Sequence, residues 1–178
     1  KLYRKKGNEI LVYEPNKKGV KKWTGKTLKY SDELGSVRRL TIDNQQSYHY
    51  NQKGKYYHYN NGVIVEFNYP NRAENITLSP TKNQLAYTIK NNLFLANAND
   101  SSIVVTANED PNIVAGQSIH RNEFGIKNGI FWSNDGNKIA FYEKDESDVH
   151  DYPLLNINDT PGQLKSVKYP MAGQKSEY

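Results

Sequence analysis

Cysteine is absent from this chain of 178 residues, methionine occurs once, and no apolar run approaches the roughly 18 residues of a membrane-spanning helix. Without cysteine there are no disulfides and no thiolate metal ligands, so the composition is compatible with cytoplasm and periplasm alike. Leucine and alanine are too sparse for long helices. The chain opens Lys1-Leu2-Tyr3-Arg4, with neither an initiator methionine nor an apolar signal core, as expected of a processed or cut chain. Glycine-rich phosphate loops are missing, and His49, His58, His120 and His150 show no metal-ligand spacing. No metal, nucleotide or other cofactor is therefore expected.

What is present is tyrosine, 14 of them, against a mean hydropathy of -0.88. That combination fits a β-rich protein with many half-buried aromatics, and the length suits one domain. The net charge of +5 is uneven: residues 1–60 hold 14 Lys/Arg against 5 Asp/Glu, and the remainder 10 against 14. Lys17-Lys18, Lys21-Lys22, Lys26 and Lys29 could form a phosphate-binding patch, but they surround Gly19 and Gly25 without regularly interleaved stacking aromatics. Solvated strand edges and loops, where lysine discourages edge pairing, are the preferred reading over nucleic acid.

Strand candidates recur along the chain: Glu9–Tyr13, Val37–Ile42, Tyr56–Tyr59, Val63–Phe67, Gln84–Ile89, Asn92–Ala96 and Ile103–Thr106. Asn60-Asn61-Gly62 and Asn91-Asn92 supply tight-turn chemistry between pairs of them, and His49 and His58 read as polar strand neighbours. A further hairpin joins Ile130-Phe131-Trp132 to Lys138–Tyr142 through Asn134-Asp135-Gly136-Asn137.

An internal repeat carries more weight than any one strand. Leu78–Tyr87 matches Trp132–Phe141 position for position, 54 residues later, and Asn51–Tyr59 is a weaker copy. Hydrophobic, Ser, turn, then apolar-Ala-aromatic is the pattern of an inner strand turning into its neighbour in a propeller blade. Two to four copies fall short of the roughly four to eight blades of a closed ring. The expected fold is all-β, a partial β-propeller of four-stranded antiparallel blades forming an incomplete ring.

Residues 74 to about 173 resemble the N-terminal β-propeller domain of the dipeptidyl peptidase IV family, in the prolyl oligopeptidase group of serine peptidases. The resemblance rests on Asn75–Pro80 with Gln84–Tyr87 and Asn91–Leu95, then Glu123-Phe124 with Phe131-Trp132-Ser133 and Ile139–Tyr142, then Asp145–Val149 and Tyr169–Gly173, in family order. It implies that residues 1–178 are a fragment of one propeller domain, with 1–73 as divergent opening blades and 74–178 as family-like blades. An arm near 116–129 would carry the substrate-binding residues.

In that family the propeller caps an α/β-hydrolase domain and usually presents two adjacent glutamates to the substrate α-amino group. The matching stretch here is His120-Arg121-Asn122-Glu123, with one carboxylate, and is similar to the bacterial prolyl tripeptidyl peptidases. Glu123 is the implied amine anchor, since one carboxylate can hold an ammonium through charge-assisted hydrogen bonds. Asn122 and Arg121 are weaker substrate-binding candidates: Asn122 offers a neutral carbonyl, and Arg121 would repel an ammonium. Residue types alone permit a plainer role for Glu123, a loop carboxylate paired with Arg121 or Lys127.

Two other constellations fail. Gly116-Gln117-Ser118-Ile119-His120 ends in His where a nucleophile elbow needs Gly, so no catalytic residue is expected within this chain. The acidic run Glu143–Asp151 lacks the Gly and Glu positions of a calcium loop and reads as a solvated loop.

The resemblance implies part of a serine exopeptidase that releases Pro-containing N-terminal di- or tripeptides, periplasmic, secreted or on a bacterial surface. Its partners would be a peptide with a free N-terminus and nearby Pro, a C-terminal α/β-hydrolase domain outside this chain, and a second copy in a homodimer. The rival is a stand-alone propeller module that binds a protein or polyanion. A Gly-x-Ser-x-Gly stretch in the reading frame beyond Tyr178 would separate the two.

Overall fold

A computed structural model describes residues 2–6, 9–16, 19–24, 41–44, 47–52, 55–98, 102–119 and 123–175. The described chain is all-β and antiparallel, built mostly of strands paired with their neighbours in sequence, and shows no closed ring. It divides into two compact units, Lys1–Asn71 with Ala96–Ser101 and Arg72–Leu95 with Ser102–Tyr178. Among the described residues no helix is long and apolar enough to cross a membrane.

The first unit holds two sheets. β1 (Leu2–Lys6), β2 (Glu9–Asn16) and β3 (Gly19–Thr24) form a three-stranded sheet in that order. Lys21 and Lys22 lie on β3, at the sheet's edge, where solvated lysines were expected; Lys17, Lys18, Gly25, Lys26 and Lys29 fall outside the described residues. β4 (Thr41–Asn44), β5 (Ser47–Gln52), β6 (Lys55–Asn60) and β7 (Val63–Asn68) make a four-stranded meander. Of the strand expected at Val37–Ile42, Val37 to Leu40 lie outside the described residues, and Thr41 and Ile42 open β4. Asn61 (φ 49) and Gly62 (φ 94) form the two-residue turn between β6 and β7, both left-handed as Asn-Gly permits.

Tyrosine builds this sheet's core. Tyr48 faces Tyr59, and Tyr50 faces Tyr57, across the β5/β6 register, with ring centroids 4.7 and 5.0 Å apart. Stacked aromatic pairs of this kind add about 0.5–1.5 kcal/mol each beyond their burial. On the opposite face the buried His58 Nε2 lies 3.1 Å from Ser47 Oγ, and His49 stacks on Tyr56 while meeting Asp43 at 3.2 Å. Both histidines are polar strand neighbours, in keeping with the sequence.

In the second unit β8 (Glu74–Leu78), β9 (Gln84–Ile89), β10 (Asn92–Asn97) and β11 (Ser102–Val104) form another four-stranded meander. Leu85, Ala86, Tyr87 and Thr88 on the inner strand β9 are all buried, as a strand covered on both faces requires. β11 stops short of the expected Thr106 because the amides of Val105 and Thr106 both converge on the Leu93 carbonyl, at 3.0 and 3.2 Å. β12 (Ile113–Ala115) pairs with β15 (Glu143–Asp145), and β13 (Ile130–Trp132) with β14 (Ile139–Phe141). Ala86, Leu93, Ala115 and Ile130 form the buried cluster, with Trp132, Ile139 and Phe141 packed against it.

β16 (Asp151–Asn156) and β17 (Gln163–Lys168) form a hairpin that strand periodicity did not bring out. The acidic run also departs from the solvated loop expected of it. Glu143–Asp145 is strand β15, Val149 is buried, and Lys144 is ion-paired with Glu146 at 2.6 Å with side chains only 5% and 11% exposed. Pairing with β12 draws this segment inwards, and mutual neutralisation makes its burial tolerable.

The 54-residue repeat is realised atom for atom in its turns. Ser79 N donates to Gln84 O and Lys82 N to Ser79 O; Ser133 N donates to Lys138 O and Gly136 N to Ser133 O, all at 2.9 Å. Lys82 (φ 61) and Gly136 (φ 68) occupy the same left-handed position.

Candidate functional site

Between β12 and β13 the chain leaves the sheets and returns as an arm, and the residues at its feet explain how it is held. Gly116 takes φ 72, and a Cβ there would stand 2.9 Å from the Thr88 methyl. Its amide donates to Tyr142 O at 2.8 Å, and Tyr142 N donates to Gly129 O at 3.0 Å, so both feet are tied to the end of β14. Gly129 lies so close to the opposite foot that a Cβ would be 2.2 Å from the carbonyl carbon of Gln117. Gln117 Nε2 donates to Lys90 O at 2.8 Å in the β9–β10 turn, and Ser118 Oγ donates to Ile126 O at 3.0 Å across the arm.

At the tip, Glu123–Gly125 forms a single 3-10 turn. Phe124 sits there in the left-handed region (φ 52, ψ 17) and is 92% exposed. Glu123 opens this turn. Its side chain, like all of His120, Arg121 and Asn122, lies outside the described residues.

The arm separates two concavities of different character. On one side Gln117, Ser118 and Lys127 share a cavity of about 610 Å³ with Glu74, the Lys144–Glu146 pair and Lys168. Lys168 Nζ donates to Val149 O at 2.9 Å, and Lys165 adds a further cation. On the other side Gly125, Ile126, Lys127 and Asn128 border a cleft of about 460 Å³ whose wall is Phe131 and Tyr142, edge to face at 5.3 Å. A polar, charge-bearing surface and a mixed one with two aromatic rings therefore border the described residues of the arm. The sequence brought out the hairpin that carries Phe131 and Tyr142 and missed Lys144 and Lys168, which reach one cavity only through the β12–β15 and β16–β17 pairings.

The carboxylates of two described turns bond within their own turns. Asp135 accepts from Ser133 Oγ at 2.6 Å and from Asn137 N at 3.1 Å, which holds its carboxyl below the usual carboxylate range, the serine contributing most. Asp145 is lowered likewise by the side chain and amide of Ser147. Among the described residues no group of three or more His, Asp or Glu is placed to hold a metal ion.

A family model described as the dipeptidyl peptidase IV N-terminal region matches residues 36–177. A crystal structure from Bacteroides ovatus, assigned as a dipeptidyl aminopeptidase IV, is 32% identical with a TM-score of 0.69, covering 96% of this chain and 25% of its own. A Neurospora crassa protein named as a dipeptidyl-aminopeptidase B is 27% identical, covering 62% of this chain and 14% of its own length. Dipeptidyl peptidase 4 of Porphyromonas gingivalis, 19% identical with a TM-score of 0.61, shares the fold over 96% of this chain and 29% of its own. The chain thus spans between 14% and 29% of the length of these relatives.

Proposed function

Since this chain belongs to the dipeptidyl peptidase IV family and carries sequence of its N-terminal region, we propose that it is the substrate-anchoring part of a serine exopeptidase, in which Glu123 holds the free α-amino group of a peptide with Pro near its N-terminus. The observation that supports this best is the arm: a loop with tied feet whose described part includes the turn Glu123–Gly125. A single carboxylate at the end of a fixed arm works as an end-stop, because the distance from the amine to the scissile bond then decides how many residues are released. The lone glutamate favours tripeptides over dipeptides. Bond cleavage itself belongs to an α/β-hydrolase domain outside these 178 residues.

Secretion to the periplasm or cell surface and assembly as a homodimer complete the proposal. Sedimentation of the full-length protein tests the second copy.

The central test is Glu123→Ala in the full-length protein. Activity on free-amine peptides should fall by about a hundredfold or more, while the hydrolase still accepts an active-site-directed serine reagent. Unchanged kinetics would overturn the assignment of Glu123 as the anchor, whereas a natural full-length protein that cleaves no peptide would leave the reading of a binding module without peptidase activity.

A further inference from the structure

A loop whose neck can slide carries its tip with it, and a sliding carboxylate would make a poor end-stop. The described contacts hold the arm at its neck. Across its neck, Gly129 approaches the Gln117 backbone so closely that a Cβ would be 2.3 Å from the Gln117 carbonyl oxygen. One step further out, Ser118 Oγ reaches Ile126 O at 3.0 Å. Sideways, Gln117 Nε2 reaches Lys90 O at 2.8 Å, and Ala115 N reaches Asn91 O at 2.9 Å, so the neck is indexed to the β9–β10 turn of the neighbouring sheet. That turn is itself fixed in an uncommon conformation, Lys90 having φ 52.

We propose that Gln117, Ser118 and Gly129 are positioning residues for peptide-length specificity: together they clasp the neck of the arm and fix how far Glu123 stands from the sheet core. The inference rests on the amine-anchoring role of Glu123. Its physical content is that two hydrogen bonds and a backbone-to-backbone contact remove the loop's freedom to slide towards or away from the blade. Gly129 is required because any side chain would part the two strands of the neck. Gln117 and Ser118 then set the height and tilt at which they close. None of the three touches substrate; they act through the carboxylate they place.

The test uses the full-length protein and paired peptides, with Pro as the second or the third residue, each with a free or an acetylated N-terminus. Glu123→Gln is measured first and should abolish the preference for the free amine. Gly129→Ala, Gln117→Leu and Ser118→Ala should then lower kcat/KM for free-amine peptides by about tenfold or more, chiefly through KM, and change the ratio of dipeptide to tripeptide released. Acetylated peptides should be cleaved as before, a result that general destabilisation would not give. If Gly129→Ala fails to fold, the other two variants, which insert no atom between backbones, carry the test. A response to Glu123→Gln with an unchanged ratio in every folded neck variant overturns the clasp alone, as does an equal loss on free and acetylated peptides. No response to Glu123→Gln overturns the anchor and the clasp with it.

Discussion

Gly136 lies directly against Thr81: a Cβ built on the glycine would be 2.6 Å from the threonine Oγ1 and 2.9 Å from its methyl. The two residues belong to the two copies of the repeat, so the turns that match in sequence also pack on one another. The second copy has glycine at the left-handed position where the first has Lys82, and the contact explains the difference. Thr81 leaves no room for a side chain at 136.

Gly136→Ala should therefore lower stability by roughly 1–3 kcal/mol, from left-handed strain and overpacking together. Lys82→Gly at the equivalent place should be neutral or stabilising by up to about 1 kcal/mol, since strain alone is relieved there. Urea unfolding of the two variants checks the pair; equal effects would mean that the turn contact does not count.

The turn carboxylates give a pH dependence with a definite sign. Asp135, held low by Ser133 and Asn137, binds its proton less readily when folded than when unfolded. Its contribution is present above the ordinary carboxyl value of about 3.9 and is lost as pH falls through the lower folded value. Asp145 adds to the same slope through Ser147. Unfolding free energy measured across the acid range should fall less steeply for Asp135→Asn than for the natural chain, and identical slopes would refute the contribution.

Alkaline pH acts through the first unit. Burial, then Asp43 and Tyr69, push the Tyr56 hydroxyl up to about 12. A raised folded value means that stability holds below the unfolded value of about 10 and drains away as pH rises from there through the folded one. Tyr56→Phe should flatten that alkaline decline, measured as unfolding free energy against pH.

What could be read in advance followed from local chemistry. Gln84–Ile89 and Ile130–Trp132 were legible to the residue because β-branched and aromatic runs end at turn residues. The serine-turn repeat was legible because its side chains bond within the same few residues. β12 and β15 were not, because each is three residues long and pairs with a partner about 30 positions away. The β16–β17 hairpin was hidden by its exposure, since a strand pair bare on both faces shows no alternation. Of the candidate site, Glu123 was singled out by resemblance alone, whereas the neck of the arm depends on Gly129 meeting Gln117, which no spacing rule announces.

The Lys144–Glu146 pair is the sharpest consequence of that hidden pairing. Glu146→Ala leaves a buried ammonium without its carboxylate and should cost about 3–5 kcal/mol, whereas Lys144→Met with Glu146→Leu should restore most of the loss. A double-mutant cycle by thermal unfolding measures the coupling, and additive losses would show that the pair does not act as a unit.

Phe124 offers the clearest separation of stability from function. A bulky residue in the left-handed region costs about 1–2 kcal/mol, and a ring that is 92% exposed recovers little of it through packing. Phe124→Asn, which tolerates that conformation, should leave stability unchanged or raise it by up to about 1 kcal/mol. If the ring is kept at the tip to pack against the bound peptide beside Glu123, the same variant of the full-length protein should lose affinity for free-amine peptides with apolar first residues. Greater stability with KM raised selectively for those peptides is the expected pair of outcomes. Greater stability with unchanged KM would show that the ring has no part in binding.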